Sequence, residues 1–105
     1  MIDFLNSLHV DHLVLELAHR PVGDLDALRE VEPRITMGVG VIDVKVNHVE
    51  TPDEIAQRLA VIEKKLGPGR LDWIHPDCGF WMLKRSVADR KMEALVAGRN
   101  KYLGI

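Results

Sequence analysis

The sequence predicts an α/β fold, a parallel βαβαβα unit, and three observations carry that reading. Apolar, β-branched runs at 12–17, 34–44 and 70–75 alternate with segments of helical spacing. The run Arg34 to Val44 is apolar on both faces, as a strand inside a parallel sheet must be. Between the second and third runs lies a helix with its own start and stop signals, which makes the connection a crossover. A closed barrel of such units needs eight strands and about 250 residues. Three strands in 105 residues cannot close one, and helices so few are hard pressed to cover both faces of the sheet.

Taken in order, Ile2, Phe4, Leu5 and Leu8 form a short, partly amphipathic piece, read as the tail of a helix. His12 to Leu17 is a compact apolar strand with Glu16 near its end. A carboxylate in such a strand is costly unless solvated, paired or bound. Pairing with Arg20 is the plainer reading, and ligation the other. Arg20-Pro21-Val22-Gly23 breaks the pattern. Asp24 to Glu32 suits a short helix, with Leu25, Leu28 and Val31 at i, i+3, i+6, and Pro33 ends it. Gly38 and Gly40 weaken the next strand, so either tight packing or the close approach of another group accounts for them.

Thr51-Pro52-Asp53-Glu54 is a helix start, with an N-cap Thr, Pro at the first helical position and Glu three after the cap. Ile55, Leu59, Ile62 and Leu66 follow as one apolar stripe, and Gly67-Pro68-Gly69 stops the helix. Arg70 to His75 reads as a buried strand around Trp73, halted by Pro76. Ser86 is the candidate cap of a last helix running toward Gly98 or Tyr102, with Val87, Leu95 and Val96 as its contacts.

Bulk properties narrow the function. Net charge is −2 and no basic run is present, which argues against nucleic acid as a partner. No apolar run approaches the roughly 20 residues of a membrane span. A single cysteine, Cys78, makes no internal disulfide, so a reducing, cytoplasmic setting is expected. Cys78 sits in the tight turn His75-Pro76-Asp77-Cys78-Gly79, at the end of a strand and beside a carboxylate. Strand ends are where parallel α/β proteins place their chemistry. On composition alone, a buried structural thiol is the competing reading.

That turn resembles the Asn-Pro-Asp-Cys-Gly signature of the cobalamin-independent methionine synthase family. The resemblance extends over nearly the whole chain: Glu16 at a strand end, the run Met37 to Asp43, the helix Thr51 to Leu66, then Pro76 to Gly79. It implies that residues 1–105 are a partial C-terminal barrel domain, similar to the last three strands of the family's eightfold barrel. It also implies a zinc cofactor, with Glu16 and Cys78 as two of its ligands. The other two belong, in the family, to an upstream His-x-Cys segment absent from these residues. His12, His19 and His75 are possible but weaker substitutes. A zinc-bound thiol loses its proton and becomes a nucleophile near neutral pH.

The activity implied is zinc-dependent methyl transfer from 5-methyltetrahydrofolate to the thiol of homocysteine. Asp43 and Asp77 are the implied substrate-binding residues. The family's proton-donating His, two residues beyond the Asp that ends the Gly-rich strand, is replaced by Lys45, with His48 nearby; these two are the catalytic candidates. That departure favours paralogues that handle coenzyme M-type thiols. A third reading is a non-catalytic remnant that self-associates, or is completed by the missing barrel half, through its open sheet edges.

Overall fold

The structure, a computed structural model, describes residues 1–19 and 22–105. Its elements are α1 (Ile2–Ser7), β1 (His12–Glu16), a 3-10 segment (Val22–Glu30), β2 (Thr36–Ile42), α2 (Pro52–Leu66), β3 (Leu71–Pro76) and α3 (Arg85–Leu103). The strands form one parallel sheet in the order β1-β2-β3. Sequential neighbours joined by crossovers are the βαβαβα unit the sequence predicts. The Arg20 pairing and the Arg20-Pro21 turn lie outside the described residues.

The core sits on one face of the sheet. Met37, Val39 and Val41 of β2 meet Leu25, Leu28 and Val31 and the stripe Ile55, Leu59, Ile62 and Leu66 of α2. Each buried Leu or Ile contributes about 1.5–3 kcal/mol relative to exposure, so the α2 stripe is the main anchor of its helix. Thr51 caps α2 as its sequence requires, its Oγ1 accepting from the Glu54 N–H at 3.1 Å. Gly67 ends the helix with φ at 97°, and its N–H donates to the Glu63 carbonyl.

Several expectations are corrected. The segment after the first strand is a 3-10 helix, not an α-helix. Leu25, Leu28 and Val31 recur every third residue, which is the 3-10 repeat, and all three are buried. β2 is shorter than 34–44, running from Thr36 to Ile42. β3 is not a buried strand: Trp73 is 58% exposed. An irregularity between the Met37–Leu71 and Gly38–Trp73 pairs turns Leu71 and Ile74 to the core and Trp73 away from it. β3 also continues through Pro76. The strand pairs on one side only, and Asp77 rather than Pro76 donates to the Ile42 carbonyl. Ser86 is not the cap of α3. The cap position falls two residues earlier, at Lys84, and the helix starts at Arg85 without a side-chain cap. Val96 is exposed, and the buried stripe of α3 is Val87, Lys91, Ala94, Leu95 and Gly98.

The opposite face of the sheet is bare. Val14, 63% exposed, and Trp73 flank Gly38, whose added Cβ would lie 3.4 Å from Trp73 Cβ and 3.5 Å from Val14 Cγ2. Both outer strands keep a free edge among the described residues.

Candidate functional site

Parallel strands end at one rim, and here the rim carries every candidate but His12. Glu16, Gly40 and His75 lie level across the sheet by register. The loops that follow hold Asp43, Lys45, His48, Asp77 and Cys78.

Asp77 links the two outer strands over the top of β2. Its Oδ1 accepts the N–H groups of Leu17 and Ala18, each at 3.1 Å. It lies directly over Gly40, where an added Cβ would overlap Oδ1 and stand 3.0 Å from Asp77 Cα. This is the close approach that explains Gly40: the neighbour is a carboxylate of the same chain. The backbone just after Glu16 is thereby tied to the residue just before Cys78. Both side chains of that pair are exposed.

Two donors do not make a zinc shell. Zinc favours four tetrahedral ligands, and among the described residues no group of three His, Cys, Asp or Glu side chains converges. The histidines do not fill the gap. His75 is turned along the sheet, with Nδ1 2.7 Å from the Pro76 carbonyl and Nε2 over Gly38. His19 Nε2 is 2.9 Å from Asp43 Oδ1. His12 lies at the start of β1, the other end of the strand, beside Trp73. By themselves these residues do not fit the metal.

Asp43 anchors a second cluster. Its Oδ1 accepts the Lys45 N–H at 2.8 Å as well as meeting His19. Burial alone pushes its pKa up and is the largest single influence. The Lys45 hydrogen bond, the bond to and charge of His19, and the charge of Lys91 outweigh it and hold Asp43 below its ordinary value. The carboxylate is therefore ionised, facing a cavity of about 160 Å³ lined also by Ala18, Val41, Glu50, Glu54, Ile55 and Arg58. The Lys45 side chain is exposed. His48 is turned toward α2, with Nε2 3.4 Å from Glu54 Oε2. A larger groove of about 410 Å³ beside β3, between Leu71, Trp73, Leu95 and Tyr102, touches none of the candidate residues.

Sequence reasoning missed Lys91. It is fully buried, and its Nζ donates to the His48 carbonyl at 2.5 Å and to Glu50 Oε1 at 2.8 Å. Its signal was present, because Lys91 is four residues from Val87 and from Leu95, inside the apolar stripe of α3.

A parallel α/β unit with its polar residues at the strand ends is an arrangement that barrels and doubly wound sheets share. The comparisons narrow that class. Residues 1–100 match the family model described as "Cobalamin-independent synthase, Catalytic domain", and the chain belongs to that family. It is 35% identical over 96 residues to a methionine synthase of Thermococcus kodakarensis, covering 91% of this chain and 28% of that one. A methionine synthase of Sulfurisphaera tokodaii is 34% identical over 95 residues, covering 90% and 27%. Among solved structures, a B12-independent methionine synthase from Shewanella sp. W3-18-1, in complex with selenomethionine, superposes with a TM-score of 0.78 at 27% identity. That superposition covers all of this chain and 31% of the other. The chain thus spans less than a third of the length of the relatives it matches, as a fragment of their barrel.

Proposed function

We propose that this chain supplies the Glu- and Cys-bearing part of the rim of a methyltransferase of the cobalamin-independent methionine synthase type. The donor is 5-methyltetrahydrofolate and the acceptor the thiol of homocysteine. One observation supports the reading: the Asp77 carboxylate ties the Leu17 and Ala18 backbone, just after Glu16, to the strand end just before Cys78. Zinc enters as the cofactor of the completed barrel, with Glu16 and Cys78 as two ligands and the others outside these residues. Asp43, ionised and open to a rim cavity, would hold a cationic group of the substrate. Asp77 is a weaker candidate for substrate, since one of its oxygens already serves two backbone N–H groups. Lys45, the exposed residue in the place of the family's His, is the candidate proton donor, and His48 the second. The setting is cytoplasmic. No helix among the described residues is long and apolar enough to cross a membrane.

The bare sheet face and two free edges would be covered by the missing barrel half or by self-association. Lys45 favours a second reading, a thiol-alkyl paralogue acting on coenzyme M-type thiols. A chimera tests both. This chain replaces the matching segment of the Thermococcus kodakarensis protein, and zinc content and transfer to each thiol are measured. Homocysteine turnover that Cys78→Ser abolishes, together with its zinc, is the expected result. Turnover with coenzyme M alone supports the paralogue. A folded, zinc-loaded chimera that uses neither thiol overturns both. The isolated chain is expected to show negligible transfer.

A further inference from the structure

We infer that Lys91 is a positioning residue, a cation set beneath the rim that clamps the 43–50 loop at both ends. A Lys inside an apolar stripe loses its hydration and needs strong partners. Lys91 has two, both on that loop: the His48 carbonyl and Glu50 Oε1. Glu50 passes the constraint on, because its other oxygen, Oε2, accepts the Asp43 N–H at 2.8 Å. Asp43 Oδ1 in turn accepts the Lys45 N–H. The chain of contacts therefore runs from the floor of the core to the backbone of both rim candidates. Lys91 is fully buried, and the Glu50 side chain, which lines the rim cavity beside Asp43, is only 13% exposed, whereas Lys45 stands in the open. Their role is to hold, and Asp43 and Lys45 are what they hold.

The alternative is a Lys that only fills space under α3. The two differ at Asp43, whose charged surroundings are His19, Glu50, Lys91, Glu54 and Arg58. The test is residue-resolved amide exchange and carbon-detected titration of Asp43 on the 105-residue chain. In the unaltered protein, the Asp43 amide should exchange at least about tenfold more slowly than the exposed Asn47 amide, as an internally bonded N–H does. Lys91→Met should speed Asp43 exchange by about tenfold or more beyond any change at Val39 in β2, which reports global opening. It should also raise the Asp43 titration midpoint. The double variant Lys91→Met/Glu50→Gln strands no charge. It should regain stability while Asp43 exchange stays fast, because the neutral amide side chain introduced by Glu50→Gln is no longer fixed from below.

A space-filling Lys predicts lower stability with Asp43 exchange, relative to Val39, unchanged; that result overturns the inference. So does a folded double variant with native Asp43 protection. Should the variants fail to fold, an unprotected Asp43 amide in the unaltered chain refutes the clamp. The bearing on catalysis rests on the methyl-transfer reading. The exchange readout uses none of that chemistry, so the two fail separately.

Discussion

Gly40→Ala should be among the most damaging single-methyl changes in this chain. The new Cβ would overlap Asp77 Oδ1 and stand 3.0 Å from Asp77 Cα, so the carboxylate must leave its place. Two hydrogen bonds then go. The Ala18 N–H is held by Asp77, and the Leu17 N–H is shared between Asp77 and the Gly40 carbonyl at 3.3 Å. A hydrogen bond to a charged group is worth about 1.5–3 kcal/mol, and the shared one less. Crowding adds about 1–3 kcal/mol. Replacing Gly by Ala in a strand returns about 0.5–1 kcal/mol. The net is a loss of about 2–7 kcal/mol, and a domain of this size shifts by about 4–8 °C per kcal/mol. Thermal unfolding should therefore show a Tm lower by at least about 8 °C. A double-mutant cycle with Asp77→Ala isolates the cause. With the carboxylate gone, Gly40→Ala meets only the Asp77 backbone, and its cost should drop by at least about 1 kcal/mol. An additive cycle, or a Gly40→Ala chain within about 0.5 kcal/mol of the original, would show that the bridge does not constrain the rim.

Three further outcomes follow from the same structure. Asp43 is held below its ordinary pKa, so its contribution to stability is complete above the unfolded value of about 3.9 and is lost as pH falls through the lower folded value. Asp43→Asn should flatten that acid limb in urea melts run at a series of pH values, and an unchanged limb would remove Asp43 as its source. Thr51→Ala should cost about 1 kcal/mol through the lost cap of α2, with Thr51→Ser near neutral. Self-association through the bare face should show as a concentration-dependent sedimentation coefficient that Val14→Glu with Trp73→Glu abolishes; a monomer at high concentration would refute it.

The fold was legible where one local rule decided the outcome. The stripe, cap and stop of α2 all lie within the residues 51–69, and all appear where the sequence places them. The parallel order followed from alternation alone. The Asp24–Glu32 segment departs from the predicted α-helix because apolar residues three apart close a 3-10 turn as readily as they line an α-helical face. Trp73 was misread as buried because a β-former says nothing about which face of a strand is covered, and here an irregular register decides it. The site was legible as a list of residues but not as an arrangement. No spacing in the chain brings Asp77 over Gly40, or Lys91 beneath His48, across 37 and 43 positions.

Those two long-range contacts share a physical logic. The rim has four acidic or thiol candidates, Glu16, Asp43, Asp77 and Cys78, and loops carrying such groups repel one another and stay loose unless something fixes their backbones. Asp77 fixes one side, using an oxygen on the Leu17 and Ala18 amides next to Glu16. Glu50 does the same at Asp43, and Lys91 neutralises it from below. In each case a carboxylate serves backbone N–H groups, and the side chains of Glu16, Cys78 and Lys45 stay exposed. A barrel piece that served only as packing would gain nothing from holding a thiol and a carboxylate in the open while its bonded carboxylates secured the loops beneath. The same arrangement makes Asp77→Asn and Asp77→Ala separable. Asn keeps an oxygen over Gly40 for the two amides and should hold most of the stability, whereas Ala should lose about 1.5–3 kcal/mol in urea melts. Equal losses from both would mean that charge rather than geometry ties the strands, and the bridge would then be an electrostatic contact rather than a strut.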